Sequence, residues 1–185
     1  MLDRIDLLIL DVDGVLTDGR IVYDSRGADV KAFHVLDGQG IKYWRRAGHE
    51  AAILSGRASR TIRIRAAELG IRAVYLNAKD KRPALEKILK RFRRAADRAC
   101  YIADDLVDLP VMARVGFAVA TAGAVEEVKH IAHYVTRRPG GAGAVRETIE
   151  LILKYQGLWD GVTQRYRDRL PPDLPASRRP WRDPR

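Results

Sequence analysis

Leu7-Leu8-Ile9-Leu10-Asp11-Val12-Asp13-Gly14-Val15-Leu16-Thr17-Asp18-Gly19 is an apolar run that stops at two carboxylates one residue apart, with glycines following. Four consecutive apolar residues suit a strand buried on both faces, as in a parallel sheet covered by helices. Such a strand delivers Asp11 and Asp13 to the carboxyl edge of the sheet, where open α/β folds bind their ligands. Two carboxylates this close repel, and burial worsens the repulsion unless a cation or proton compensates. Taken alone, Asp-x-Asp-Gly also describes a solvated turn.

Outward from this stretch, short apolar runs alternate with amphipathic helical segments over residues 5–154, the pattern of a doubly wound α/β sheet. Strands are predicted at Ile5–Leu10, Ala51–Leu54, Ala73–Leu76, Ala99–Ala103, Phe117–Ala120 and His133–Val135. Ala58, Ile62, Ala66 and Leu69 share one helical face, and Leu85, Ile88, Leu89 and Phe92 share another, both facing the core. One segment breaks the alternation. Arg20–Tyr23 and Val30–Val35 flank a turn-rich stretch containing Gly27, which reads as a β-hairpin inserted after the first strand. Gly140 to Gly143 lack the Lys-Ser or Lys-Thr of a phosphate loop and read as a flexible turn before the last helix.

The composition excludes several classes. Apolar residues make up 46% and charged residues 31% of 185 residues, which supports one folded domain rather than disorder. No apolar run reaches the roughly 20 residues of a spanning helix, and Met1-Leu2-Asp3-Arg4 does not resemble a secretion signal, so a soluble, cytoplasmic protein is expected. The single Cys100 offers neither an internal disulfide nor a cysteine-rich zinc site. Net charge is +10, of which residues 165–185 hold +4. That segment, rich in Pro and Arg, reads as a basic tail after a domain ending at 164, ordered only where it docks. The remaining basic residues are scattered without interleaved aromatics, so nucleic-acid binding is an unfavoured reading beside a small anionic substrate. His34, His49, His130 and His133 have no ligand spacing, and Trp44, Trp159 and Trp181 read as packing anchors.

A second acidic cluster, Asp104-Asp105-Leu106-Val107-Asp108, follows the apolar run Ala99–Ala103. If both strands are central and parallel, Asp104 meets Asp11 and Asp13 across one edge and makes an all-oxygen pocket suited to magnesium. Ser55-Gly56-Arg57 follows another strand, and Lys81 lies five residues past Leu76. A hydroxyl, a backbone amide at a helix start and an ammonium are donors for phosphoryl oxygens. Each alone is weak, because Ser-Gly-Arg also caps helices and a lysine is usually solvated. Their order at successive strand ends carries the reading.

Together these residues resemble the four motifs of the haloacid dehalogenase superfamily. Gly14-Val15-Leu16-Thr17-Asp18-Gly19, the hairpin, Asp37-Gly38-Gln39-Gly40-Ile41 and Gly140-Gly141-Ala142-Gly143-Ala144-Val145-Arg146-Glu147 further resemble its capless branch of 3-deoxy-D-manno-octulosonate 8-phosphate phosphatases, over residues 5 to about 156. Ala103 departs from the glycine usual before the acidic pair. The resemblance implies a Rossmann-like fold with no cap domain, and a homotetramer in which hairpins of different subunits pair. It implies magnesium held by Asp11, the Asp13 main-chain carbonyl and Asp104. Asp11 would be the nucleophile, Asp13 the general acid and base, and Ser55 and Lys81 the holders of the transferring phosphoryl group. Asp105 and Asp108 would orient the metal's waters or Lys81 from behind. Gly56, Arg57 and Arg65 match substrate-contacting positions, the arginines as readers of a sugar carboxylate, with Arg65 acting across a subunit boundary.

The expected activity is release of phosphate from 3-deoxy-D-manno-octulosonate 8-phosphate in lipopolysaccharide sugar biosynthesis, with a sialic-acid-type nonulosonate 9-phosphate as the alternative substrate. Other classes fit less well. A receiver domain would carry its phosphoacceptor after the third strand, and a dehalogenase needs neither Asp13 nor magnesium. A noncatalytic nucleic-acid module would rest on the basic tail alone.

Overall fold

The computed structural model describes residues 1–171, and the part of the expected tail from 172 to 185, with Asp173 and Trp181, lies outside the described residues. After a single 3-10 turn at Leu2–Arg4, strand β1 (Leu7–Leu10) runs through the middle of the molecule with every residue buried. The two short strands β2 (Val22–Tyr23) and β3 (Asp29–Val30) form the hairpin, and helix α1 (Val35–Arg46) follows. Then come β4 (Glu50–Leu54), α2 (Arg60–Glu68), β5 (Ala73–Tyr75), α3 (Arg82–Phe92) and β6 (Ala99–Ala103). The chain closes with α4 (Leu109–Met112), β7 (Phe117–Ala120), α5 (Glu126–Ile131), β8 (Tyr134–Val135), α6 (Ala144–Tyr155) and α7 (Trp159–Arg167).

Six strands make one sheet in the order β5-β4-β1-β6-β7-β8, every pair parallel. Alternation along β1 divides the core, because successive strand residues point to opposite faces. Leu8 and Leu10 pack with Ile41 and Trp44 of α1, Ile62 and Ala66 of α2, Ile149 and Ile152 of α6 and Val162 of α7. Leu7 and Ile9 pack with Leu85 and Ile88 of α3, Met112 of α4 and Val128 of α5. Helices therefore cover both faces, as the unbroken apolarity of the strands requires. Among the described residues no insertion larger than the hairpin interrupts this core, and no helix is long and apolar enough to cross a membrane.

Three expectations change. Val30–Val35 is not a strand, because the ladder ends at Val30 and Val35 opens α1, with the His34 ring accepting from the Leu36 amide. The reason is Lys31, whose buried side chain turns inward to an ion pair with Asp13 and draws the chain off the ribbon. The segment expected as a tail from 165 begins inside α7, where Trp159 and Tyr166 lie edge-on to Tyr43, 5.6 and 6.0 Å between centroids. Arg46 anchors the same helix by donating to the Val162 carbonyl at 2.7 Å. Gly140 to Gly143 form a packed loop rather than a flexible turn. A Cβ at Gly140 would lie 1.8 Å from the Gly14 carbonyl oxygen, and the Gly141 amide donates to the Val15 carbonyl at 2.9 Å. Asp37, buried in α1, holds the loop's far end by accepting from the amides of Gly143 (3.2 Å) and Arg146 (2.8 Å) at the start of α6.

Candidate active site

The parallel sheet brings three strand ends to one edge. β1 ends at Leu10 and presents Asp11, whose amide continues the ladder to the Ile102 carbonyl. The turn beyond is wound around the Val12 carbonyl, which accepts from the amides of Val15, Leu16 and Thr17 and from the Thr17 hydroxyl. Gly14 in this turn has φ +80°, and a Cβ there would sit 1.8 Å from Asp104 Oδ2, so the β1 and β6 loops approach as closely as a bare backbone allows. β6 ends at Ala103 and presents Asp104, and β4 ends at Leu54 and presents Ser55, which is 1% exposed. Ser55 Oγ accepts from the Arg57 amide at 3.3 Å, so the hydroxyl keeps its proton free for a ligand.

Lys81 stands at the head of α3, where Pro83 occupies the first turn. Its ammonium is buried and lies 3.1 Å from Asp11 Oδ1 and 2.5 Å from Asp108 Oδ1. The Tyr101 hydroxyl donates to the same Asp108 oxygen at 2.5 Å. The Asp105 amide approaches Asp108 Oδ2 at 3.4 Å, and the Asp105 side chain accepts from the Leu106 amide at 2.8 Å. Asp108 is thus paired directly with Lys81, whereas Asp105 caps its own turn.

Asp11, Asp104 and Asp108 each offer a carboxylate oxygen within 4.8 Å of the others. Lys81 supplies one positive charge against three negative ones. Burial pushes Asp11 up to about 7 against the pull of Lys81. Burial, then the charges of Asp11, Asp108 and Asp105, push Asp104 up to about 7. Asp104 Oδ1 is buried with no hydrogen-bond partner among the described residues. An orphaned oxygen in an all-carboxylate cluster with uncompensated charge is the environment a hard divalent cation neutralises, so the residues fit such an ion. Of the three, Asp108 is the most occupied by protein donors. The Asp13 carboxylate takes no part in this cluster; it faces Lys31 at 2.5 Å and Arg57 at 3.7 Å.

A cavity of about 360 Å³ opens over these groups, lined by Asp11, Asp13, Ser55, Gly56, Arg57, Lys81, Asp104 and Asp105 among others. Asp108 lies just beneath it, fully buried. Arg65 is the exception. Its guanidinium pairs with Glu68 at 3.0 Å and lies over the Phe33 ring, against Gly38 of α1, so within one chain it does not reach the cavity. Arg57 precedes α2, which starts only at Arg60 and carries Arg65, so the two arginines stand on different local frames. Sequence reasoning missed Lys31 and Tyr101, whose roles depend on distant partners, and neither has a local signal. Of the histidines, His34 caps α1 and His133 accepts from the Ala118 amide, both structural.

Buried carboxylates and an ammonium around an open cavity at the carboxyl edge of a doubly wound sheet define a phosphoryl-handling hydrolase-type site. The chain belongs to the haloacid dehalogenase-like hydrolases and, within them, to the 3-deoxy-D-manno-octulosonate 8-phosphate phosphatase family. Residues 73–146 match the haloacid dehalogenase-like hydrolase family. Over 160 residues, 86% of each chain, the sequence is 44% identical to the 3-deoxy-D-manno-octulosonate 8-phosphate phosphatase of Yersinia pestis. The fold is similar to that enzyme from Moraxella catarrhalis, solved with magnesium, phosphate and a KDO molecule, with TM-score 0.86, 38% identity and coverage of 89% of this chain and 95% of that one. It is also similar to the cobalt-bound enzyme from Haemophilus influenzae, with TM-score 0.82, 44% identity and coverage of 84% and 91%.

Proposed function

We propose that this protein is a magnesium-dependent phosphatase that releases inorganic phosphate from 3-deoxy-D-manno-octulosonate 8-phosphate. The observation that carries the reading is the Asp11–Lys81–Asp108 arrangement at the floor of the cavity, a buried carboxylate held by an ammonium beside further acidic groups. Asp11 and Asp104, with the Asp13 main-chain carbonyl, would hold magnesium, which would offset the repulsion between an anionic nucleophile and an anionic phosphate. Asp11 attacks phosphorus in line, the bond to the sugar oxygen breaks, and an aspartyl-phosphate forms. Asp13 gives its proton to the leaving alkoxide, then takes one from the water that attacks the same phosphorus and frees Asp11. Ser55, the Gly56 amide and Lys81 hold the equatorial oxygens through both steps.

Arg57, exposed at the cavity rim and fixed by a 3.2 Å bond to the Tyr23 hydroxyl, suits the sugar's carboxylate. Among the described residues no cap closes the cavity, and the hairpin turns Ile21, Val22, Tyr23 and Val30 outward, 45–58% exposed. These side chains support a homotetramer in which hairpins of neighbouring subunits pair, bringing Arg65 to another subunit's cavity. Sugar phosphates are charged metabolites held inside the cell, and the proposed location is the cytoplasm.

The test is a phosphate-release screen with magnesium against the octulosonate 8-phosphate, a nonulosonate 9-phosphate and 4-nitrophenyl phosphate. The octulosonate substrate is expected to have the highest kcat/KM, and Asp11→Asn to have no turnover on any of them. Full activity of Asp11→Asn would overturn the mechanism, and preference for the nine-carbon acid would replace the substrate. Light scattering at micromolar concentration is expected to give a tetramer.

A further inference from the structure

The Lys31 ammonium sits where a charged group is costly: its side chain is 1% exposed, yet it comes from a hairpin whose apolar residues face outward. Burying an ammonium is tolerated only with close partners. Lys31 has two, Asp13 Oδ1 at 2.5 Å and Asp29 Oδ2 at 3.6 Å. Both Asp29 carboxylate oxygens are buried with no hydrogen-bond partner among the described residues, and the cation that pairs with them is Lys31. The hairpin thus touches the body of the protein through polar contacts: Lys31 to Asp13, Tyr23 to Arg57, and the Thr61 hydroxyl donating to the Asp29 carbonyl at 3.1 Å.

We propose that Lys31, seated by Asp29, is a positioning residue for proton transfer by Asp13. An ammonium has three donors and no acceptor, so the oxygen it binds cannot present a proton toward it. Holding Oδ1 leaves Oδ2, whose nearest cation is Arg57 Nε at 3.7 Å, beyond hydrogen-bond distance, as the oxygen that carries the proton to the leaving group, and it locks the carboxyl in one rotamer. A free carboxyl would spread its proton over two oxygens and several orientations, few of them productive, and small misplacements are expensive in proton transfer. The hairpin is thereby a mechanical part of the acid, beyond any role in assembly. This inference rests on the reading of Asp13 as general acid.

The experiment measures kcat/KM of the full-length, magnesium-loaded enzyme on two substrates. Kcat/KM reports steps up to the first irreversible one, so a sugar phosphate, whose alkoxide needs a proton, separates from 4-nitrophenyl phosphate, whose leaving group does not. Lys31→Met keeps the aliphatic stem in its slot and removes the donor. It is expected to lower kcat/KM for the sugar phosphate at least about tenfold more than for the aryl phosphate. Asp29→Asn, which leaves Lys31 in place without its second partner, is expected to give the same bias in smaller measure, and it serves should Lys31→Met fail to fold. Thr61→Val loosens the hairpin without touching Lys31 and is expected to show no bias. Equal losses on both substrates in Lys31→Met, or the full bias in Thr61→Val, would overturn the proposal. Asp13→Asn, run in parallel, separates the two readings. Bias there without bias in Lys31→Met removes this inference alone, and no bias in Asp13→Asn removes the acid assignment with it.

Discussion

Gly14→Ala adds one carbon at the tightest point of the site. That Cβ would lie 1.8 Å from Asp104 Oδ2 and 2.4 Å from Asp104 Cγ. Real methyl carbons do not approach closer than about 3.0 Å, so the carboxylate must retreat by about 1.2 Å. The Asp104 backbone cannot follow, because its carbonyl accepts from the Val125 amide at 3.0 Å and its strand is locked between β1 and β7. Only side-chain rotation is left. Magnesium tolerates oxygen ligands in a narrow range near 2.1 Å, so a retreat of that size removes the ligand rather than stretching it. We expect magnesium affinity to fall at least about tenfold and kcat at least about a hundredfold, the scale of an ångström misplacement in a preorganised site. The cost in stability is smaller, about 1 kcal/mol for a positive φ in a non-glycine residue. Gly19→Ala is the control: φ is +83°, but the nearest atoms to its Cβ are 3.6 Å away. Both variants should lower Tm by similar amounts in EDTA, while only Gly14→Ala should shift the magnesium dependence of phosphate release. Wild-type magnesium affinity and kcat in Gly14→Ala would refute the claim that Asp104 is fixed by a backbone contact and required for the ion.

Removal of magnesium is expected to change the pH dependence of stability. Asp11 and Asp104 are pushed up to about 7 in the fold, so below the ordinary carboxylate range both states are protonated and no penalty arises. Between about 4 and 7 the unfolded chain ionises first, and metal-free stability falls as pH rises, so magnesium should raise Tm more at pH about 7.5 than at about 5 in differential scanning calorimetry. Asp37→Ala leaves two amides at the start of α6 without their acceptor and is expected to cost about 2–4 kcal/mol, read from urea unfolding. Arg57→Ala is expected to raise KM for the sugar-acid phosphate while leaving KM for 4-nitrophenyl phosphate nearly unchanged. In the proposed tetramer Arg65→Ala should do the same, and equal effects on both substrates would assign Arg65 to packing.

Part of this protein is legible in its sequence because the signal is local. Leu7 to Leu10 are apolar without interruption, and only a strand buried on both faces needs that, so β1 and its terminal Asp11 follow from four residues. Ala99–Ala103 and Phe117–Ala120 match their observed bounds for the same reason, and Asp104 and Ser55 then fall at strand ends. Tertiary packing decided what depends on residues far apart in the chain. Lys31 is one more lysine in the sequence, and only the fold, bringing it against Asp13 eighteen positions away, makes it part of the site. Helix α7 escaped because its period is short, with Val162 its one buried residue, and its other apolar contacts are aromatic edges on Tyr43 of another helix. Gly140 and Gly141 read as a loose turn, since nothing local reveals that the β1 turn lies against them. Arg65 matches a substrate-contacting position by resemblance, but within one chain Glu68 and Phe33 hold its guanidinium outside the cavity, a contact no local signal reveals. Periodicity and strand ends are written along the chain, whereas the partner of a charge is written only in the space between segments.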